Sequence, residues 1–283
     1  MVKKRSHSAS SGGEKSKKTK VISFDGVLKV IRLGTAEDFQ ELLTQGLVSD
    51  INMTNDKGET LLMIQCINRC LKGVKLLIEH GVDVHIKDGH GNTALILACR
   101  NYRDYNKEES SEVIKLIVSK EANMNVVSMF PSLIRGYERG TALFEACING
   151  RLDIVRLLLE LGAATDDADQ NPLIESCALN SMDVIRLLVS HGVDVNAMDY
   201  YGHTCLSVAC EKGYDDIVEL LLDHGADMNL VRDMYHYNPF VLAIMHGRVS
   251  TVKLLFDRGA DVHRVGDVVP LLAASQHGQV GVA

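Results

Sequence analysis

Residues 201–233, YGHTCLSVACEKGYDDIVELLLDHGADMNLVRD, decide the fold of this chain. Small and apolar residues recur at spacings of three and four on both sides of Gly213, which is typical of two amphipathic helices. Thr204 is a candidate N-cap for the first helix, and Gly225 stands where the second helix would end in a left-handed residue. The stretch therefore predicts a helix, a tight turn, a second helix and an extended finger.

This unit recurs along the chain with a period near 33 residues. Gly58 and Thr60, for example, precede Gly91 and Thr93 by 33 residues. The motif of the second helix recurs as KLLIEHG at 75–81, RLLLELG at 156–162, RLLVSHG at 186–192, ELLLDHG at 219–225 and KLLFDRG at 253–259, with a degenerate copy, KLIVSKE, at 115–121. The pattern G-x-T-P-L, then small residues, then I-V-x-L-L-x-x-G-A, resembles the ankyrin repeat over roughly residues 24–283.

The resemblance implies an all-α ankyrin-repeat solenoid of helix-turn-helix units, with short β-hairpin fingers along one edge. Residues 1–20, MVKKRSHSASSGGEKSKKTK, lack apolar periodicity and are interpreted as a disordered basic tail rich in Ser and Lys. The ankyrin-repeat domain would then span residues 24–283. Its predicted units are a divergent N-terminal repeat at 24–56, repeats at 57–89, 90–137, 138–167, 168–200, 201–234 and 235–267, and an incomplete repeat at 268–283.

The N-terminal repeat and the repeat that begins at Gly91 depart from the pattern. The inner apolar stripe of the N-terminal repeat would consist of Leu28, Ile31, Phe39, Leu42 and Leu43. The spacing from Thr93 to Thr141 is 48 residues instead of 33. Because insertions in repeat proteins map to loops, the extra residues are expected at 101–110, between the two helices, and at 126–138, in the following finger.

Charge is unevenly distributed along the chain. Residues 1–20 carry a net charge of +6, and the rest carries −13. An acidic repeat body argues against nucleic-acid binding, which needs a basic face. The tail is interpreted either as a solvated segment or as an address, such as a nuclear-localisation signal or a contact for an anionic surface.

The apolar segments of the sequence are all short. No apolar run approaches the ~20 residues of a membrane span, and no apolar segment follows the basic N-terminus as a secretory signal requires. The expected location is the cytoplasm, or the nucleus if the basic tail acts as a signal.

Five of the seven cysteines occupy one position of the repeat, where ankyrin repeats usually have alanine: Cys66, Cys99, Cys147, Cys177 and Cys210. Repeats that stack about 10 Å apart would hold these residues beyond the ~7 Å limit for a disulfide. Buried, reduced thiols are therefore expected. His80, His191 and His224 also share one position, before the helix-ending glycine, and are interpreted as last-turn side chains and not as zinc ligands. No metal or cofactor is predicted.

The predicted function is protein binding. No catalytic constellation fits the repeat frame, so the chain is not expected to be an enzyme or to have a small-molecule substrate. The resemblance implies an adaptor or scaffold that holds a partner protein on the concave face and finger loops of the stack. One alternative stays open, in which the chain is a regulatory or targeting segment of a larger enzyme or channel whose active domain lies beyond residue 283.

The tyrosines indicate where a partner would bind. All eight lie outside the predicted helical stripes, whereas core packing places aromatic residues on them, as predicted for Phe39 and Phe256. Tyrosine is enriched in binding hot spots because it offers rigid area with a polar tip. The predicted hot spot consists of Tyr200, Tyr201, Tyr235, His236 and Tyr237, with Met129, Phe130, Ile134, Arg135 and Tyr137 of the long finger as one wall. The alternative is that these tyrosines pack finger against finger.

Two finger asparagines match a further pattern. Ankyrin repeats resemble substrates of an asparaginyl hydroxylase that modifies an Asn preceded by an acidic and an aliphatic residue, with a Leu eight residues before it. Asn196 and Asn229 fit this pattern and are candidate hydroxylation sites. The alternative is that both side chains stabilise the turn by hydrogen bonds to the backbone.

Overall fold

The computed structural model describes residues 21–101, 107–120, 122–132, 136–165, 171–199, 201–230 and 237–260. The chain divides into two compact units, residues 1–53 and residues 54–283. The predicted tail at 1–20 and the predicted incomplete repeat at 268–283 lie outside the described residues.

The first unit contains two helices, α1 (Phe24–Leu33) and α2 (Ala36–Thr44). Thr35 forms a capping box with Asp38, since each backbone N–H donates to the other residue's side chain. Ile31 and Phe39 are buried as predicted, and Val27, which the predicted stripe omitted, is buried with them. The predicted core residues Leu28, Leu42 and Leu43 are only half-buried.

The second unit contains twelve helices and one pair of strands among its described residues. In chain order these are α3 (Leu61–Ile67), α4 (Leu71–Glu79), α5 (Ala94–Arg100), α6 (Lys107–Val118), β1 (Ser128–Ser132), β2 (Gly136–Gly140), α7 (Ala142–Ile148), α8 (Leu152–Glu160), α9 (Pro172–Ala178), α10 (Met182–Ser190), α11 (Cys205–Lys212), α12 (Asp215–Asp223), α13 (Pro239–Met245) and α14 (Val249–Asp257).

These helices form two layers. The first-helix layer, α3, α5, α7, α9, α11 and α13, stacks in chain order, and each of these helices also packs against the second helix of its own repeat. The second-helix layer, α4, α6, α8, α10, α12 and α14, stacks in the same order. The core lies between the layers, where Leu77, Leu188 and Leu221 are fully buried. The predicted all-α solenoid is therefore confirmed.

Caps set the ends of the helices. The Thr204 side chain accepts a hydrogen bond from the Ser207 N–H at 3.0 Å, as predicted for this N-cap. After the second helices the chain turns through glycines of positive φ, such as Gly225 at 84°. His80, His191 and His224 are the C-cap residues of their helices, one position beyond the predicted last turn, and their Nδ1 atoms lie 2.7–2.9 Å from the carbonyl oxygen four residues earlier.

All seven cysteines are free thiols. The five that share one position of the repeat are buried, as predicted, and so is Cys205. Burial raises the pKa of the Cys147 thiol to about 12, although a hydrogen bond with Ser176 acts in the opposite direction. Cys70, at the start of α4, is half-buried.

Both inserted stretches include described residues in regular secondary structure. Residues 101–110 were predicted as a loop, but α6 already begins at Lys107 and has twelve residues where most second helices have nine. Glu108 and Glu109 in its first turn favour this extension through the helix dipole. The insertion at 126–138 forms an antiparallel hairpin in which Phe130 pairs with Glu138.

The hairpin of β1 and β2 is the one finger of the described residues that forms a strand ladder. Other fingers close by single turns, for example through the Asp88 and Asp199 N–H groups, which donate to the carbonyl oxygens of Asn92 and His203 at 3.0 Å. The prediction for Phe256 is wrong, because its side chain is 58% exposed, whereas its neighbour Leu255 is fully buried.

Candidate protein-binding site

A groove of about 580 Å³ crosses three consecutive repeats on the first-helix layer. It is lined by Ile174, Glu175 and Ala178 of α9, Val208, Glu211 and Lys212 of α11, Leu242 and Met245 of α13, His246, Tyr237, and the finger residues Asp199 and His203. We call it the first-helix groove. Its place between the first helices and a finger is where the resemblance implies that a partner binds.

The groove uses the same positions of the first helix in each of the three repeats. Glu175, Val208 and Leu242 occupy one position, and Ala178, Glu211 and Met245 occupy another one turn later. In both rows every side chain except the buried Leu242 is half-buried, whereas Leu173, Leu206 and Phe240 lie in the core. The two rows of the groove differ in chemistry from repeat to repeat, whereas the core row is apolar throughout.

The groove has an apolar floor and an acidic balance. Leu242 is buried and Val208 and Met245 are half-buried, so apolar area remains accessible on α11 and α13. Three carboxylates line it, against one ammonium group, that of Lys212, which lies 3.3 Å from a Glu211 oxygen.

The finger at Asp199–Thr204 is held by the Asp199 carboxylate. One oxygen accepts hydrogen bonds from the N–H groups of Tyr201 and His203 at 2.9 and 2.8 Å, and the other lies 2.7 Å from His203 Nδ1. Burial raises the pKa of the Asp199 carboxyl, but the hydrogen bonds with the His203 side chain and backbone and the Tyr201 N–H outweigh it, so the pKa lies below its ordinary value. Asn55 and Asp88 hold earlier fingers in the same way. A preformed turn therefore presents the residues beside the groove.

The end of α11 is fixed by the next repeat. The Arg248 Nε donates to the Glu211 carbonyl oxygen at 2.9 Å. Gly213, at φ 78°, lies so close to this arginine that a Cβ there would meet its Cδ at 2.8 Å. Glycine is thus required by both conformation and space, and Glu211 and Lys212 are held at the rim of the groove.

The structure brings two of the predicted hot-spot residues to this site. Tyr237 lines the groove and is half-buried. Tyr201 is 63% exposed, and its ring centroid lies 6.0 Å from that of His203, which is itself in the lining. Tyr200, Tyr235 and His236 lie outside the described residues.

The predicted wall is described only in its backbone. Met129, Phe130 and Tyr137 are in the β1–β2 hairpin, where Tyr137 pairs with Pro131. Ile134 and Arg135 lie outside the described residues.

Sequence reasoning missed most of the groove lining, including Val208, Glu211, Met245 and the Asp199–His203 pair. A usable signal was present. Within the repeat frame, one position of the first helix changes character from Glu175 to Val208 to Leu242, while the core position with Leu173, Leu206 and Phe240 stays apolar.

The two candidate hydroxylation sites lie at the turns after second helices. The Asn196 side chain bridges to the next repeat, since its Nδ2 donates to the Gly225 carbonyl oxygen at 3.1 Å and its Oδ1 accepts from the Asp227 N–H at 2.8 Å. The Asn229 N–H donates to Asp227 Oδ1 at 2.8 Å. These two contacts of the Asn196 side chain support the alternative role, in which the asparagine stabilises the turn.

A second groove, of about 540 Å³, lies in the first unit between α1 and α2 and includes Lys29, Leu33, Asp38 and Glu41. It is lined by two carboxylates and one ammonium group and contains none of the predicted hot-spot residues, so the first-helix groove is the stronger candidate. Within the described ranges, no three His, Cys, Asp or Glu residues are grouped as ligands of a metal ion. None of the described helices has the length and apolar character needed to cross a membrane.

Known proteins place the chain in a family. The family described as ankyrin repeats (3 copies) matches residues 28–128, 105–199 and 198–265. The chain is 30% identical over 168 residues to the B-cell lymphoma 3 protein homolog of Mus musculus, a match that covers 58% of this chain and 35% of that protein. It is 27% identical over 146 residues to the potassium channel AKT2/3 of Arabidopsis thaliana, covering 51% of this chain and 16% of the channel.

A solved structure agrees with these matches. The crystal structure of the ankyrin repeat domain of Bcl-3, described as a unique member of the IkappaB protein family, superimposes with a TM-score of 0.66 and 26% identity. The likeness covers 81% of this chain and 97% of that domain. The matches thus span about a third of the mouse relative and a smaller part of the channel. The two helical layers and the family match over residues 28–265 together show that this chain belongs to the ankyrin repeat family.

Proposed function

We propose that this protein is an adaptor or scaffold that binds a partner protein through the first-helix groove and the fingers beside it. Ankyrin repeats are protein–protein interaction modules, and the family is non-catalytic. The observation that carries the proposal is the groove itself, in which residues of three consecutive first helices meet Tyr237 and the Asp199–His203 finger. Accessible apolar area beside a rigid polar rim is typical of interfaces.

The proposal keeps the predicted hot spot and places its centre at Tyr201 and Tyr237. The test is quantitative affinity purification from the cells of origin with the wild type, Tyr201→Ala, Tyr237→Ala and the control Tyr214→Ala. Tyr214 is a half-buried tyrosine at the inter-helix turn before α12, outside the groove lining.

Hot-spot residues contribute at least ~2 kcal/mol, so each groove variant should reduce partner recovery or affinity about 30-fold. Tyr201→Ala should leave the melting temperature unchanged, because the side chain is mostly exposed. Equal recovery with all three variants would reject the site, and a loss that only follows unfolding would make these tyrosines structural.

A second candidate function is that the repeats serve as a regulatory or targeting segment of a larger protein. The match to 16% of a potassium channel supports it, since such repeats form a minor part of that protein. Sequencing the transcript downstream of Ala283 separates the two proposals. A coding region for a kinase, ligase or membrane domain would favour the segment, and an immediate stop codon would favour the adaptor.

Location and modification remain part of the proposal. We propose a cytoplasmic protein that enters the nucleus if residues 1–20 act as a basic signal, which is tested by imaging the chain with and without these residues. Hydroxylation of Asn196 or Asn229 would appear as a 16 Da increase in the corresponding peptide by mass spectrometry.

A further inference from the structure

We infer that the first-helix groove selects an extended protein segment in which a basic side chain, preferably arginine, lies about three residues from an apolar side chain. This inference rests on the proposed function and specifies the chemistry of the partner. The occupant follows from the arrangement of charge and apolar area across α9, α11 and α13.

The charge lies on one side of the groove and the apolar area on the other. Glu175 is on α9 and Glu211 is at the end of α11, whereas the equivalent positions on α13 are Leu242 and Met245. Tyr237, with its aromatic ring, lies on the apolar side with α13. A complementary ligand must therefore place a cation over α9 and α11 and an apolar group over α13.

The width of the groove sets the spacing of these two groups. Packed helices lie about 8–10 Å apart, so neighbouring first helices are separated by that distance. An extended chain rises roughly 3.3 Å per residue, so one helix spacing corresponds to about three residues and the whole groove to about six. The preformed Asp199 finger borders this path and limits how the segment can lie.

The positively charged side chains of the lining do not cancel the negative charge of its carboxylates. The Lys212 ammonium group lies 3.3 Å from a Glu211 oxygen, the Lys212 side chain is 45% exposed, and such surface pairs contribute ~1 kcal/mol or less. The imidazole of His203 is hydrogen-bonded to Asp199, and the three carboxylates of the lining, those of Glu175, Asp199 and Glu211, outnumber its one ammonium group. The inference depends on this summed charge, and not on either carboxylate lacking a partner.

Arginine is favoured over lysine at this place. Its planar guanidinium group binds carboxylates through two hydrogen bonds and is less strongly hydrated than an ammonium group. It also packs on aromatic rings, and Tyr201 and Tyr237 are close to the finger and the groove. The acidic repeat body, at −13, would in addition steer a basic segment toward the groove.

The test is selection of a phage-displayed library of random twelve-residue peptides on the full chain. The same selection is run on the double variant Glu175→Gln/Glu211→Gln and on Asp216→Asn, which removes one exposed carboxylate from α12 in the same repeat as Glu211. Selected peptides are then synthesised and titrated by fluorescence polarisation. Thermal unfolding followed by circular dichroism checks that each variant folds, and the single variant Glu211→Gln replaces the double variant if that one does not.

The inference predicts that wild-type peptides are enriched in Arg or Lys about three residues from Leu, Met or Phe. Their affinity should fall at least tenfold on the double variant and stay within twofold on Asp216→Asn. Neutral or acidic peptides that lose binding with Tyr237→Ala would overturn the inference and leave the proposed site intact. Peptides that bind all of these variants equally would overturn both the inference and the proposed site. Preferential binding of a random DNA duplex over any peptide would also overturn both.

Discussion

At the scale of single residues, Gln65 is an unusual core side chain. It is fully buried in α3, and neither atom of its amide has a hydrogen-bond partner within the described part of the chain. The amide lies against Gly73 of α4, where an added Cβ would be 2.5 Å from Gln65 Oε1. Gly73 is thus favoured because a side chain there would collide with the Gln65 amide. Its backbone is helical, so its conformation does not require a glycine.

We predict that Gly73→Ala destabilises the protein, because the overpacking penalty of roughly 1–3 kcal/mol exceeds the ~1 kcal/mol that alanine gains in a helix. In a Gln65→Ala background the clash is gone, so the same substitution should become neutral or stabilising. Urea unfolding of the four proteins of this cycle gives both values, with Lys75→Ala on the exposed face of α4 as the control. An equal effect of Gly73→Ala in the two backgrounds would contradict the account.

The cysteines provide a second test at this scale. Burial raises the pKa of the thiols of Cys66, Cys99 and Cys210, so at neutral pH they are both inaccessible and protonated. Ellman's reagent should therefore react with Cys70 alone in the native protein and with all seven thiols in denaturant. Rapid native reaction of several thiols would mean that the first helices are not packed as described.

At the scale of structural elements, the stability of the finger turn held by Asp199 depends on pH. Its carboxyl has a lowered pKa, so its stabilising contribution is fully present above the ordinary value of ~3.9 and is lost as the pH falls through the lower, folded-state pKa. Asp199→Asn keeps the acceptor for the two backbone N–H groups, as Asn55 does in its own finger.

We predict that the wild type is more stable than Asp199→Asn at pH 6 and that the difference disappears as the pH falls through the lowered folded-state pKa of Asp199. Thermal unfolding of both proteins across this range measures it. A difference that stays constant as the pH falls would show that the Asp199 charge contributes nothing to the turn.

Neighbouring first helices are also joined by an ion pair. Arg100 of α5 contacts the buried Glu145 of α7, with Nη2 and Nε at 2.6 and 2.9 Å from the same carboxylate oxygen. The pair of Arg258 and Glu219, at 3.6 Å, links α14 to α12 on the surface. Removing a buried partner leaves an uncompensated charge, whereas exposed pairs contribute little.

We predict that Glu145→Ala lowers the free energy of unfolding by about 2 kcal/mol, less than for a fully buried pair because Arg100 is partly exposed. The matched control Glu219→Ala should lower it by no more than ~0.5 kcal/mol. Urea denaturation gives both numbers. Equal losses of unfolding free energy in the two variants would indicate that burial does not strengthen the ion pair of Glu145.

The elements that could be predicted from the sequence are those fixed by local rules. Thr204 and Gly225 mark helix ends through capping and backbone conformation, which act over a few residues. The extension of α6 to Lys107 has a local signal in Glu108 and Glu109. The exposure of Phe256 instead depends on how the helices pack, which the repeat pattern alone does not contain. The groove was missed for the same reason, because Glu175, Val208 and Leu242 meet only after the repeats stack.

At the scale of the whole molecule, function depends on a surface that no single repeat provides. The first helices α9, α11 and α13 of three consecutive repeats, together with one finger, form the groove. The second-helix layer carries its own exposed residues, including Phe256, on α14. The central claim is that partners bind the first layer and not the second.

Site-specific photo-crosslinking tests this claim most directly. A photoreactive phenylalanine derivative is placed at Lys212, an exposed residue in the groove lining, or at Lys253, an equally charged and exposed residue on α14. After irradiation in the cells of origin, the account predicts a partner adduct through position 212 that is lost with Tyr237→Ala, and none through position 253. An adduct of equal yield through position 253, or one at 212 that survives Tyr237→Ala, would contradict it.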